Sequence, residues 1–236
     1  MNFKELLLDI DQLATEMDIP KVYMVGGVPR DKFAGNLKSI KDIDLTNGSP
    51  SIKDLALQIK KKFGATFREY PDGHSSLRFP NLDLDFSSNF VVPQVDKLVG
   101  KALFPLERET WSRDFTCNTL LWDLKLESIK DLTGKGKQDI RSRILRTCLE
   151  PKITLGVDSK RVARRVARVF YLAAKLDFEI APDLFQYLKE HPEFQDAEPQ
   201  DFLLEKLSMA YVKNREKTLK LLQDLGWKKL YWLVKL

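Results

Sequence analysis

The chain has 236 residues, 43% of them hydrophobic, with 39 basic against 34 acidic side chains and a formal charge of +5. That length holds one large domain or two small ones, and the slight basic excess suits a polyanionic partner without specifying one. No apolar run approaches the ~20 residues of a membrane helix, and Cys117 and Cys148 lack the neighbours of a thiolate metal site or a disulfide framework.

Phe3, Leu6, Leu7, Ile10, Leu13 and Met17 recur at helical spacing and predict an opening amphipathic helix that Pro20 ends. The first residues carry no signal-peptide pattern, so the expected location is cytoplasmic. Lys21 to Val25 is a β-type run that stops at Gly26-Gly27, and Asp31 to Leu37 reads as a brief helix. Asp42 to Thr46 predicts a second strand, closed by Asn47-Gly48, and Ser51 caps a helix through about Phe63. Three short strands follow, Thr66 to Tyr70, Ser76 to Phe79 and Leu82 to Phe86, separated by Pro71-Asp72-Gly73 and Pro80-Asn81. Residues 91–110 read as an irregular loop, and Phe115 to Trp122 is too short an apolar run to choose between helix and strand. Beyond about residue 137 helical patterns take over. The fold class is therefore α+β, with a mixed α/β head at 1–130 and an all-α remainder at 131–236, joined near Gly134-Lys135-Gly136-Lys137.

Asp42-Ile43-Asp44 places two carboxylates about 7 Å apart on one strand face. Such a pair repels unless a cation sits between the two, and magnesium takes a few carboxylates together with water and phosphate oxygens. Alone, the pair is equally a solvated acidic strand end. Leu82-Asp83-Leu84-Asp85-Phe86 repeats the pattern, and a metal pair that clamps attacking and leaving oxygens needs roughly three carboxylates. Asp83 and Asp85 are both in phase to supply the third. Gly26-Gly27 after a strand lets a backbone approach phosphate oxygens, although an ordinary strand-to-helix turn uses the same residues.

The stretch Val-Tyr-Met-Val-Gly-Gly-Val-Pro-Arg-Asp followed by Lys-Asp-Ile-Asp-Leu-Thr resembles the head signature of the bacterial-type (class II) tRNA nucleotidyltransferases and poly(A) polymerases. Arg113-Asp114-Phe115-Thr116-Cys117-Asn118-Thr119-Leu120 and Asp131 to Ile140 resemble two further elements of that family, in order, and the likeness extends over roughly residues 20 to 178. The resemblance implies a nucleotidyltransferase head followed by a helical neck-like domain that binds nucleotide and RNA. It implies magnesium-dependent, untemplated transfer from ATP or CTP to the 3′ end of RNA, with tRNA as the expected acceptor. By position, Gly26, Gly27 and Arg30 would cradle the triphosphate, Asp42 and Asp44 would hold metal, and Asp83 falls where members often carry a third acid. Arg113, Asp114 and Asn118 would lie near the incoming nucleotide and its ribose. Read by itself, Asp114 is equally a helix N-cap ahead of Phe115.

Arg161, Arg164, Arg165 and Arg168 form one helical stripe, which repels itself unless an anion or a base edge sits among the guanidiniums. A solvated basic face is the plain alternative. The family's corresponding helix opens Glu-Asp-x-x-Arg, and its Asp and Arg read the base. Here Arg165, Arg168 and Leu172 to Phe178 keep the spacing, but Val162 stands where the aspartate belongs. In the alternative register Asp158 and Arg161 supply the pair, about one helical turn earlier. Family members are considerably longer, so RNA anchoring is expected to be weaker, differently built, or completed by a partner or an oligomer. Rival expectations are poly(A)-type or single-nucleotide addition to another acceptor, a non-catalytic RNA-binding module on the same fold, and an enzyme that modifies a protein or small molecule.

Overall fold

The structure, a computed structural model, describes residues 3–71, 73–87, 91–156 and 159–235. Backbone contacts divide the chain into two compact units, 1–113 with 117–137, and 114–116 with 138–236.

The first unit is built on a seven-stranded mixed sheet. Its strands are β1 (Tyr23–Val25), β2 (Asp42–Thr46), β3 (Thr66–Glu69), β4 (Ser75–Phe79), β5 (Leu82–Phe86), β6 (Leu121–Asp123) and β7 (Ile129–Lys130). Their spatial order is β3-β4-β5-β2-β1-β6-β7, and β2 with β5 is the parallel pair of this sheet. Its helices are α1 (Phe3–Glu16), α2 (Gly27–Phe33), α3 (Ile52–Phe63), α4 (Val95–Val99) and α5 (Pro105–Trp111). Strand alternation sorts the two faces. Ile43 and Leu45 of β2 lie level with Leu84 and Phe86 of β5, and all four are buried in one core with Leu7 and Ile10 of α1 and Leu55 and Ile59 of α3. Each such side chain stabilises the fold by roughly 1.5–3 kcal/mol. The intervening aspartates are thereby directed to the opposite face.

The predicted strands form, with ends shifted by one or two residues. Two segments differ from the sequence reading. Residues 91–110 hold α4 and α5, where the composition suggests a loop. Pro105 opens α5, and the Glu107 carboxylate accepts from the Phe104 N–H at 3.0 Å. Seven residues are too few to display a helical period. In the stretch Phe115 to Trp122, a 3₁₀ turn at Thr116–Asn118 precedes β6, so neither helix nor strand runs the full length. The first helix after the diglycine also begins earlier than Asp31, at Gly27.

The second unit follows from α6 (Gly136–Ser142), within which the division between the units falls. It continues through β8 (Ile144–Leu145), α7 (Pro151–Gly156), α8 (Ser159–Leu176), β9 (Glu179–Ile180) and α9 (Pro182–Glu190), and ends with α10 (Gln200–Lys213), α11 (Arg215–Asp224) and α12 (Lys228–Lys235). It is helical apart from the short parallel pairing of β8 with β9 and a bridge from Phe115 to Thr147. Val166, Val169, Phe170 and Ala173 of α8 are buried, with Trp227 packed at 5.4 Å from the Phe170 ring. Among the described residues no helix is long and apolar enough to cross a membrane.

Candidate functional site

Register brings Asp42, Asp44, Asp83 and Asp85 together. Asp42 lies level with Asp83, and Asp44 with Asp85, across the parallel β2–β5 pair. On the other side of β2, Val25 pairs with Asp44, so the chain leaves β1 at Gly26 directly beside that carboxylate. Gly26 has φ +81°, and a Cβ there would collide with Asp44 Oδ2 and stand 3.8 Å from Arg113 Nη1. A side chain is thus excluded on two grounds, backbone conformation and space. Gly26, Asp44 and Arg113 form one corner of the site.

Electrostatics distinguishes the four acids. Asp42 is open to solvent at the mouth of β2, yet surrounding protein removes part of its hydration. That desolvation, followed by the charges of Asp44, Asp85 and Asp83, pushes its pKa up to about 6. Desolvation, then the Asp44 charge, raises Asp85 as well. Asp83 is engaged otherwise: it forms an ion pair with Arg78, its cross-strand neighbour. Of the two acids that sequence phase leaves equivalent, Asp85 is the one not held by Arg78 in an ion pair.

Among the described residues, no set of three or more His, Cys, Asp and Glu side chains could hold a metal ion unaided. Magnesium asks less of a protein, since one or two carboxylates suffice when water and substrate phosphates complete the octahedron. Asp42 and Asp44, mutually repelling on one strand face, fit that requirement.

Behind the corner is a residue that the sequence reading does not identify. Glu109 of α5 is buried; it accepts a hydrogen bond from Thr46, the last residue of β2, and an ion-pair contact of 3.4 Å from Arg113 Nη2. The spacing of Glu109 to Arg113 is the i, i+4 signal that could have marked it. Gly48 locks the same junction, because a Cβ there would meet backbone atoms of Pro105 and Leu106 at 2.5 to 2.8 Å. Arg113 Nε is buried without a hydrogen-bond partner. Arg30 is buried too, donating to Asn118 Oδ1 and to Asp31 Oδ1, each at 2.8 Å. Two expected nucleotide-binding residues, Arg30 and Asn118, are therefore joined to each other. Gly27 lies in the first turn of α2, beside Arg30.

In the second unit Asp114 Oδ2 accepts from Arg168 Nε at 2.7 Å, while its Oδ1 accepts from the Phe115 N–H at 2.8 Å. The side chain thus serves its own turn and also binds an arginine 54 positions away. The other arginines of α8 differ from the expectation of one mutually repelling stripe. Arg165 Nη1 donates to the Thr154 carbonyl at 2.5 Å, and Arg164 lies over the Phe202 ring at 5.5 Å. Protein acceptors and an aromatic face relieve the repulsion without an external anion. Arg161 lies on α8 one turn before Arg165. Asp158 lies outside the described residues.

Residues 22–146 match the family described as the poly A polymerase head domain. A tRNA nucleotidyltransferase of Schizosaccharomyces pombe is 25% identical over 190 residues, covering 72% of this chain and 38% of that protein. Poly(A) polymerase I of Salmonella typhi is 27% identical over 187 residues, covering 69% and 36%. This chain thus spans little more than a third of the length of these two curated relatives. Among solved structures, the Thermotoga maritima CCA-adding enzyme complexed with tRNA superimposes with a TM-score of 0.75 over 96% of this chain and 51% of its own, at 20% identity, a likeness that fixes the fold.

Proposed function

Because the chain belongs to the poly(A) polymerase head-domain family, we propose that it transfers nucleotides from ATP or CTP to the 3′ end of RNA, adding or repairing the CCA end of tRNA. The observation that carries this reading is the parallel register that sets Asp42 and Asp44 beside Asp83 and Asp85, next to Gly26. The tRNA bound to the Thermotoga maritima enzyme, and the name of the Schizosaccharomyces pombe relative, support tRNA as the acceptor. We assign catalysis to the head, residues 1–130, and nucleotide and RNA binding to the neck-like remainder, 131–236. The expected setting is the cytoplasm.

Asp42 and Asp44 would hold magnesium. When bound, the metal supplies charge neutralisation at the phosphates and acidifies the attacking hydroxyl. The chain's own groups do the rest. Gly26 admits the triphosphate close to the backbone, and Arg113 faces the charge that spreads onto the departing pyrophosphate. The RNA 3′-oxygen bonds to the α-phosphorus as the bond to the β-phosphate breaks. The hydroxyl proton passes to the Asp85 carboxylate, which lies level with Asp44 across the β2–β5 pair. Asp114, Arg161, Arg165 and Arg168 are assigned to the nucleotide, with Asp158 as the acid that would read the base.

The test supplies magnesium, one labelled NTP at a time, and either tRNA lacking its 3′ end or an unrelated RNA. Addition of CTP and then ATP to the trimmed tRNA is expected. Long A tails would instead identify the poly(A) activity for which the Salmonella relative is named. Asp42→Ala should fold and lose turnover, and an active variant would refute the site.

A further inference from the structure

A cleft of about 270 Å³ opens beside the carboxylates, walled by Asp44, Asp85, Tyr70, His74 and Ser87. The transfer chemistry above employs the two acids and leaves the other three unexplained. Tyr70 and His74 belong to the β3–β4 hairpin and Ser87 follows β5. Sheet order gives their position meaning. From Gly26 at the end of β1 the sheet passes through β2, β5 and β4 to β3, so diglycine and hairpin flank the carboxylates on opposite sides. Displacement at phosphorus sets the attacking and leaving oxygens roughly in line, on opposite sides of the α-phosphate. With pyrophosphate leaving on the Gly26 and Arg113 side, the attacking hydroxyl enters from the hairpin.

The geometry points to this cleft as the seat of the acceptor's terminal ribose, with Tyr70, His74 and Ser87 hydrogen-bonding its hydroxyls; the inference rests on the nucleotide transfer proposed above. A ribose end offers vicinal hydroxyls that donate and accept. A phenol and a serine hydroxyl do both, and a neutral imidazole does each at a different nitrogen. The described wall residues offer carboxylate, hydroxyl and imidazole groups, all partners for sugar hydroxyls. The hairpin also holds these groups in place. The Tyr70 N–H donates to the His74 carbonyl at 2.9 Å, the Tyr70 hydroxyl lies 3.5 Å from Ser76 Oγ, and the Arg68 guanidinium sits 4.8 Å from the ring centroid. The turn is closed by backbone bonds, so trimming the side chains leaves it intact. Because the 2′-hydroxyl distinguishes RNA from DNA, the cleft would make the enzyme select an RNA terminus.

The test uses the full chain and two acceptor oligoribonucleotides of one sequence, ending in either a ribose or a 2′-deoxyribose. Wild type should favour the ribose end. Tyr70→Phe, His74→Ala and Ser87→Ala should each raise KM for the ribose acceptor by about tenfold, the worth of one hydrogen bond. KM for the NTP should stay unchanged, and the preference between the two acceptors should shrink. Equal KM for both acceptors in wild type, or variants that raise KM for the NTP instead, would overturn the assignment. If wild type transfers nothing to either acceptor but extends tRNA lacking its 3′ end, the transfer reading stands; if it extends neither these nor the trimmed tRNA, it is the transfer reading that fails. Anisotropy titrations of the same oligonucleotides, labelled at the 5′ end, then decide the cleft: a ribose preference lost in the variants upholds it, and indifference rejects it.

Discussion

At the scale of single residues, Asp42 carries the clearest physical signature. Its pKa of about 6 means that the folded chain keeps a proton which the unfolded chain releases near 3.8. Between those values the folded state binds more protons, so stability falls as pH rises through the window and levels off above it. Solvent screening at this exposed position holds the loss to about 1 kcal/mol. Thermal midpoints of wild type and Asp42→Asn, measured from pH 4 to pH 7 without divalent metal, should diverge with rising pH, wild type becoming the weaker. Added magnesium should close the gap above pH 6. The paired acids are legible in the sequence because a strand's period of two puts Asp42 with Asp44, and Asp83 with Asp85, on one face. The choice between Asp83 and Asp85 is not legible, since it depends on Arg78 lying opposite Asp83, a fact of hairpin register.

At the scale of elements, α5 contributes a buried carboxylate beside the candidate site although none of its residues were expected there. It fastens β2 through the Thr46–Glu109 hydrogen bond and orients Arg113 through the same carboxylate. Glu109→Gln retains the shape but removes the charge from a buried pair. It should lower the unfolding free energy by about 1–3 kcal/mol, read from urea titration. It should also slow transfer more than ~10-fold under saturating substrates, because a displaced Arg113 weakens the transition state. Full retention of both quantities would remove α5 from the mechanism. The strands and α3 are readable from periodicity, whereas α4 and α5 are hidden because five and seven residues complete too little of a helical pattern. The arginines of α8 illustrate a different limit. Their shared stripe follows from spacing, but their partners, Asp114, the Thr154 carbonyl and Phe202, are set by tertiary packing.

At the scale of the whole molecule, the chain does not finish one unit before starting the next. Residues 114–116 belong with the second unit, and 117–137 return to complete the first. β6 brings the buried Leu121 and Trp122 to β1. A fragment ending at Arg113 lacks these and should show no cooperative thermal transition by circular dichroism. A fragment of residues 1–137 retains all seven strands and should regain one. The same pairing has a consequence for synthesis. β1 leaves the ribosome almost a hundred residues ahead of β6, its antiparallel neighbour at Tyr23 and Met24. At about 5–20 residues per second, that edge waits roughly 5–20 s with unsatisfied backbone groups. A nascent chain in that interval offers a strand template to its neighbours on the same messenger, so holdase chaperones have most to do for this protein before β6 emerges.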